Sequence, residues 1–255
     1  MRPVHCEIFI FDLATQSWKE IKVNNMNRAV ATRRNHCGTI LGDWMLVYGG
    51  LNSCVQYLDD LQAFNFLTSQ WRQIEPFGQS RPPALCRSAM RAVFHKQRKE
   101  QLVIDFNQIP PLDWAKVDQN LRTEGFFMYG GQDRKGEACS DLWVLKPLKK
   151  GLTWVNGSRL CEGKGPGPRF DHAMCRLREN LVILGGRDRF SFIKSIYLLD
   201  LCTLVWSNVK LTTTSFNGER IPAALERAEF ACAPGRLEDR IFIFGGIDSN
   251  FVLTN

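Results

Sequence analysis

The sequence lacks most of the signatures that would assign it a chemistry or place it in a membrane. No apolar run approaches the ~18–20 residues that a membrane span needs, and Glu7 and Asp12 interrupt the first residues too early for a secretory signal peptide. Its glycine pairs end apolar runs instead of opening helices, which argues against a phosphate-binding loop. Neither a Ser-His-Asp triad nor a catalytic carboxylate pair is indicated by the spacing.

Cysteine is present without the order of a disulfide or zinc framework. The nine cysteines are an odd number at irregular spacing, with no C-x-x-C pair. We therefore expect reduced thiols in a cytoplasmic protein, with the nucleus as the alternative, and no metal or cofactor. Four of these cysteines lie in or beside predicted strands and are interpreted as small buried apolar residues: Cys37, Cys86, Cys175 and Cys232.

Charge and composition allow a large core and do not name a partner. The chain has 255 residues, of which 44% are hydrophobic and 23% are charged, which is typical of one folded domain over residues 1–255. The formal net charge of +7 permits an acidic partner. Because no basic stripe with interleaved aromatic residues is present, nucleic-acid binding is not favoured.

A repeated phrase organises the chain: an apolar run that ends in a pair of glycines. Each run is short and apolar throughout, which predicts a strand buried on both faces. The glycines allow positive φ and the close approach of a neighbouring backbone or ring. The pairs are Gly49 and Gly50, Gly130 and Gly131, Gly185 and Gly186, and Gly245 and Gly246.

Two further features keep a fixed distance from the glycine pairs. A tryptophan follows at 21 to 24 residues from the first glycine, as Trp71, Trp154 and Trp206, and Trp18 ends a similar half-repeat at the start of the chain. An Arg-x-x-His sequence precedes two of the pairs, at Arg33 and Arg169. Each unit therefore reads as four short strands, the pattern of a propeller blade.

The predicted blades are unequal in length and do not add up to whole units. Three complete blades are expected at about residues 33–75, 87–156 and 170–209, with an insertion at about 95–124 that we interpret as a surface loop. The chain starts with the third and fourth strands of one blade and ends with the first and second strands of another. These two halves could pair to close a ring of four blades. We instead expect that the chain forms about four blades of a larger ring.

These features together resemble the kelch repeat, and the resemblance covers nearly the whole chain apart from the insertion. It implies an all-β propeller of four-stranded antiparallel blades whose first strands line a central channel. It also implies that the loops between blades, and those between the second and third strands, share one face that commonly binds partner peptides.

On this resemblance we expect a protein-interaction module that binds another protein, including an acidic or phosphorylated peptide, and not an enzyme. Arginine can bind such groups in a bidentate manner. The alternative role for each arginine is to pair with a neighbouring carboxylate and fix its loop. The predicted contact residues are Arg33, Arg34, Arg87, Arg169, Arg227, Asn52, Ser53, Arg134, Arg187 and Arg189.

The repeated tryptophans and the two histidines are expected to be structural. The four tryptophans should fill the space between blades, and His36 and His172 should form structural hydrogen bonds. The alternative function is that of a kelch-like enzyme acting on a sugar, of the oxidase or epimerase type. An oxidase would need tyrosine and histidine copper ligands, whereas three of the four tyrosines occupy repeat positions. No acid/base set for an epimerase could be located.

Overall fold

The computed structural model of the chain describes residues 7–24, 32–94, 124–148, 151–210, 226–237 and 239–253. Within these ranges the chain is built from short strands, which confirms the all-β prediction. The predicted insertion at 95–124 lies outside the described residues, apart from Glu124. No helix in the described ranges is long and apolar enough to cross a membrane.

The chain begins with a hairpin, which is followed by the first complete blade. The hairpin pairs β1 (Ile8–Asp12) with β2 (Ser17–Ile21). The first blade contains β3 (Arg33–Arg34), β4 (Cys37–Leu41), β5 (Trp44–Tyr48), β6 (Leu51–Asn52), β7 (Leu61–Asn65) and β8 (Gln70–Ile74). Its four long strands form an antiparallel sheet in the order β4-β5-β7-β8, and β3 pairs with β6 beside it.

Two more four-stranded antiparallel sheets follow, so the three complete blades are present as predicted. The second contains β9 (Ala89–Val93), β10 (Gly125–Tyr129), β11 (Leu142–Leu148) and β12 (Gly151–Asn156). The third contains β13 (Ala173–Leu177), β14 (Asn180–Leu184), β15 (Ile196–Asp200) and β16 (Trp206–Val209). The last strands are β17 (Arg227–Ala228), β18 (Ala231–Pro234), β19 (Ile241–Phe244) and β20 (Ile247–Asp248).

The hydrophobic core lies in layers between neighbouring blades. The first strands of successive units, β4, β9, β13 and β18, lie next to one another. Because side chains alternate along a strand, β10 sends Phe126 and Met128 into the layer shared with the first blade. Phe127 and Tyr129 enter the layer shared with the third blade. This double burial explains why the runs before the glycine pairs are apolar at every position.

The β1–β2 hairpin has the geometry of the third and fourth strands of a blade. Trp18 pairs with Phe11 across the hairpin, as Trp71 pairs with Phe64 in the first blade. The Asp12 carboxylate accepts hydrogen bonds from the backbone N–H groups of the turn, as Asn65 and Asp200 do in complete blades. In the described strands, β1–β2 and β18–β19 are separate two-stranded sheets, so the alternative in which these halves pair is not seen.

Candidate protein-binding face

Two classes of loop lie together on one side of the blades, which we call the loop face. Residues that enter each first strand pair with residues that follow each glycine pair, as Arg33 does with Asn52. The same pairing recurs in the later units, as Cys86 with Gln132, Phe170 with Arg187, and Ala228 with Ile247. The loop face therefore consists of residues 33–36, 51–57, 86–88, 132–137, 169–172, 187–192, 226–230 and 247–252.

The glycine pairs hold neighbouring blades together at this face. Gly130 has φ +60°, and a Cβ there would lie 2.5 Å from the Arg169 carbonyl oxygen, so the loop of the next blade can approach only a glycine. The N–H of Gly131 donates to that carbonyl at 2.9 Å. The equivalent hydrogen bonds run from Gly50 to Leu85 and from Gly186 to Arg227. The predicted close approach at the glycines is thus present.

The arginines of the two Arg-x-x-His sequences, and the equivalent Arg227, point into the fold. Arg33, Arg169 and Arg227 each donate through a guanidinium nitrogen to the carbonyl oxygen of the first glycine in their own unit, at 3.0, 3.0 and 3.1 Å. Arg169 has no exposed surface and also donates to Ser195 Oγ at 3.2 Å and to the Pro166 carbonyl. Burial lowers the pKa of Arg169 below its ordinary value.

This placement changes the interpretation of Arg33 and Arg169. Arg33 forms a bidentate ion pair with Asp60, at 2.7 and 2.8 Å, and is buried. We expected each arginine either to reach a partner or to pair with a neighbouring carboxylate. A buried guanidinium that is engaged within its own blade cannot present itself to a peptide, so Arg33 and Arg169 are assigned to fixing their loops. In the second blade Ser88 performs this task, donating to the Gly130 carbonyl at 3.1 Å.

Four equivalent residues form a backbone chain that links the units at the loop face. Asn35, Arg87, Asp171 and Glu229 all have φ between 55° and 59°. The N–H of Arg87 donates to the Asn35 carbonyl at 2.7 Å, and the next two members repeat the bond at 3.0 Å. The backbone is therefore constant at this position while the side chain differs in every unit.

Three of these side chains, those of Arg87, Asp171 and Glu229, form an alternating charge network with Arg187. Asp171 accepts from Arg87 at 3.1 Å and from Arg187 at 2.9 Å, and Arg187 also donates to Glu229 at 2.9 Å. Desolvation raises the pKa of Asp171, although the two arginines act in the opposite direction. The Arg187 guanidinium also lies 5.4 Å from the centre of the Phe170 ring, a cation–π distance. The positive charges of Arg87 and Arg187 are thus partly neutralised by Asp171 and Glu229.

A cleft of about 340 Å³ opens between the entries of the first strands, and its walls include both predicted histidines. His172 is buried, and neither of its ring nitrogens has a hydrogen-bond partner in the described residues, so the hydrogen bonds expected for it are not found there. Its ring packs edge-on against Tyr129 at 5.7 Å. Burial, followed by the charge of Arg169, lowers the pKa of His172 to about 3, which keeps the ring neutral.

The loops after the glycine pairs share a capping residue that the sequence interpretation missed. Asp188 Oδ1 accepts from the N–H groups of Phe190 and Ser191, both at 2.7 Å. The same side-chain cap is formed by Asn52, Asp133 and Asp248, each two residues after a glycine pair. An Asn or Asp at this fixed distance is visible in the sequence and would have predicted the cap. Asn52, expected to contact a partner, uses its carboxamide oxygen in this cap.

The capped loops present different residues at their tips. Phe190 is 88% exposed, and Phe251 and Val55 are exposed at the tips of two other loops. Arg189 beside Phe190 forms an exposed ion pair with Glu137 of the preceding loop, at 2.9 Å. Of the other predicted contact residues, Arg34, Ser53 and Arg134 are exposed on this face. These tip and rim residues, rather than the buried arginines, are available to a partner.

Two of the four tryptophans lie between blades as predicted. Trp154 packs against Tyr48 of the preceding blade with ring centres 5.3 Å apart, and Trp206 packs against Tyr129 at 5.9 Å. Trp71 packs against Phe64 of its own blade. Trp18 is 71% exposed, so the prediction of burial is wrong for this residue. In the described residues no tyrosine covers Trp18 as Tyr48 covers Trp154 and Tyr129 covers Trp206.

Comparison with known families agrees with this geometry. A model described as the KLHDC2/KLHL20/DRC7 Kelch-repeats domain matches residues 107–255, more than half of the chain. A second model, the Kelch motif, matches residues 32–78. The chain belongs to the kelch-repeat family. The four-stranded sheets described above are its kelch blades, and the resemblance predicted from the sequence is confirmed.

Several curated proteins contain similar kelch sequence. The chain is 30% identical over 200 residues to the dynein alpha chain of the flagellar outer arm from Chlamydomonas reinhardtii, covering 75% of this chain and 4% of that one. It is 25% identical over 244 residues to acyl-CoA-binding domain-containing protein 5 of Arabidopsis thaliana, covering 96% and 31%. It is 33% identical over 99 residues to dynein regulatory complex subunit 7 of C. reinhardtii, covering 36% and 8%. The chain thus spans at most about a third of these relatives.

Proposed function

We propose that this kelch chain is a protein-interaction module that binds a partner protein through its loop face and contributes recognition without chemistry. The observation that carries the proposal is Phe190, an aromatic residue 88% exposed at the tip of a loop that Asp188 caps. A large apolar ring on a constrained loop loses little conformational entropy on binding. Exposed aromatic and arginine side chains are the usual anchors of protein interfaces.

The exposed basic residues of the loop face support an acidic or phosphorylated segment as the ligand. Arg34 and Arg134 are exposed there, Lys135 is exposed beside Arg134, and Arg189 is exposed beside Phe190, where it is paired with Glu137. Arg187 already faces Asp171 and Glu229 and so has less charge to offer. A peptide with carboxylates or phosphates on either side of an apolar residue would complement this arrangement.

The names of the relatives suggest where to look first for the partner. Two of them are a flagellar outer-arm dynein chain and a subunit of the dynein regulatory complex. We therefore propose a dynein-containing assembly as the first setting to test. The cytoplasm is the compartment in which such a module would act under this proposal.

The proposal makes a direct prediction for partner capture. Reversing the exposed loop-face charges with Arg34→Glu and Arg134→Glu, or truncating Phe190→Ala, should reduce capture at least ~10-fold, since interface anchors cost about 2 kcal/mol or more when truncated and tenfold corresponds to about 1.4 kcal/mol. The measurement is affinity purification of tagged chain with mass spectrometry, followed by titration of the recovered partner. Thermal unfolding should be nearly unchanged, because these residues are exposed.

A matched control uses arginines in the turns between first and second strands. Arg178 and Arg236 are exposed in the β13–β14 and β18–β19 turns, outside the loop face. Arg178→Glu with Arg236→Glu changes the net charge by the same amount as the loop-face variant. If this control loses the partner as strongly as the loop-face variants do, capture depends on net charge alone and the face assignment is wrong.

A further inference from the structure

Two cysteines from neighbouring units lie against each other on the first strands. Cys175 is on β13 and Cys232 is on β18, and these strands are adjacent. Both belong to one hydrophobic cluster, in which Cys232 packs against the buried residues that include Cys175. Cys175 is fully buried among Ala173, Val182 and Leu184, and Cys232 packs against the same cluster while remaining partly exposed. A peroxide molecule can therefore reach Cys232 more easily than Cys175.

This pair differs from the other described cysteines. The Cys37 thiol donates to the Tyr48 carbonyl and the Cys86 thiol to Gln132 Oε1. Cys54 and Cys202 are exposed loop residues. Cys175 and Cys232 instead lie on two adjacent first strands, β13 and β18, and within one hydrophobic cluster.

The surroundings favour a thiolate on Cys232. The neighbouring Cys175 thiol lowers the pKa of Cys232 and so does the positive charge of Arg91, whereas partial desolvation acts in the opposite direction. The same interaction, together with burial, raises the pKa of Cys175. Arg91 lies on β9, the first strand of the second blade. Cys232 is thus the more accessible of the two sulfurs and has a positive charge nearby, whereas Cys175 is buried, which is how nucleophilic and resolving cysteines differ.

We propose that Cys232 is a site of oxidation by a peroxide and that Cys175 resolves the product to a disulfide between neighbouring units. The Cys232 thiolate attacks one peroxide oxygen, the O–O bond breaks, and the leaving hydroxide takes a proton to become water, which leaves a sulfenic acid. The Cys175 sulfur then attacks the Cys232 sulfur as its proton and the hydroxyl leave as a second water. Two thiols and one hydrogen peroxide become one disulfide and two waters, and a dithiol reductant reverses the change.

The bond would join the third blade to the β18–β19 pair. That pair is the last unit of the described chain, and β18 contacts β13 as its neighbouring first strand. A covalent link there restricts the unfolded chain and opposes separation of the two units. Oxidation should therefore raise the Tm of the chain, and reduction should return it to the starting value.

The test is thiol mapping of the folded, fully reduced chain after treatment with hydrogen peroxide. Remaining thiols are alkylated and the protein is digested without reductant for mass spectrometry. We expect a Cys175–Cys232 linked peptide, formed before Cys54 or Cys202 is oxidised and lost after dithiothreitol. Recovery of both thiols unmodified while Cys54 and Cys202 are oxidised would overturn the proposal, as would Cys232 oxidised to sulfinic acid without a disulfide.

Variants separate the roles of the two sulfurs. Cys175→Ser should let Cys232 accumulate as a sulfenic acid that dimedone traps, whereas Cys232→Ser should leave Cys175 unreacted. Cys54→Ser with Cys202→Ser is the matched control and should form the linked peptide as the wild type does. Dimedone trapping on Cys175 in the Cys232→Ser variant would contradict the assignment of Cys232 as the attacking residue. Because the wild-type mapping needs no substitution, a variant that fails to fold does not remove the test.

Discussion

At the residue scale, the arginines show how one residue type can serve two purposes in the same repeat. Arg169 lies in the fold, where it bonds the Gly185 carbonyl and Ser195 Oγ, whereas Arg34 is exposed on the loop face. Their spacing in the sequence does not reveal which direction the side chain takes. Truncating Arg169 would leave buried carbonyl groups without a hydrogen-bond donor, and each such group would lower the free energy of unfolding by about 1–3 kcal/mol. Tests of partner binding should therefore use the exposed arginines.

His172 makes the stability of the chain depend on pH. Its folded-state pKa is about 3, against an ordinary value of 6.5. Between these values the unfolded chain binds a proton that the folded chain does not, so the free energy of unfolding falls as pH drops below 6.5. The expected slope from this group approaches ~1.4 kcal/mol per pH unit. Urea unfolding at a series of pH values measures it.

The repeat itself supplies the control for His172. Phe230 occupies the equivalent position, where its ring lies against Gly185. The free energies of unfolding of His172→Phe and of the wild type should differ by a constant amount near neutral pH. Under acid conditions the difference should shift in favour of the variant, because it has no imidazole to protonate. Carboxylates titrate in both proteins and cancel in the comparison. Parallel pH profiles for the two proteins would show that His172 does not carry this dependence.

At the element scale, the glycine pair joins two blades and does not merely end a strand. Its first glycine faces the loop of the next blade, and its second faces the loop of its own blade, as Gly130 and Gly131 do. Gly245 occupies the position equivalent to Gly130 and also has positive φ, at +70°. A Cβ on Gly245 would meet nothing within 4 Å in the described structure. A substitution at Gly245 therefore introduces backbone strain alone, whereas one at Gly130 introduces both backbone strain and a steric contact.

Replacing these two glycines should have unequal effects. Gly245→Ala should cost only the ~1–2 kcal/mol of a left-handed conformation. Gly130→Ala should cost clearly more, because its Cβ would also lie 2.5 Å from the Arg169 carbonyl oxygen and push the neighbouring loop away. Chemical unfolding of both variants gives the comparison. Equal losses would mean that the inter-blade contact at Gly130 adds nothing to stability.

At the scale of the whole molecule, two half-blades leave apolar surface uncovered. Phe244 on β19 is 78% exposed, whereas Tyr48 and Tyr129 at the same repeat position are buried against a tryptophan of the next blade. Trp18 in the β1–β2 hairpin is exposed as well. Unpaired strand edges with apolar side chains are sites of association.

We expect the isolated chain to self-associate through these half-blades. Sedimentation equilibrium should show an average mass that rises with concentration. Phe244→Lys should lower that mass at a given concentration, because a charge on the uncovered sheet opposes contact. Phe190→Lys is the control, since Phe190 is at least as exposed, at 88% against 78%, but lies on the loop face. A chain that stays monomeric, or two variants that behave alike, would speak against the half-blades as the contact.

The sequence by itself determined the phase of the repeat. Glycine pairs, apolar runs and tryptophan spacing predicted the blades, since backbone geometry and double burial restrict those positions to few residue types. The same pattern contained the Asn or Asp caps, which were overlooked. Only the tertiary structure decided which way Arg33 and Arg169 point, that Trp18 is exposed, and that Cys175 meets Cys232. The direction of each arginine depends on partners that only the folded blade brings close, such as Asp60 and Ser195. The exposure of Trp18 and the contact of Cys175 depend on what the neighbouring unit supplies, which the spacing within one repeat does not specify.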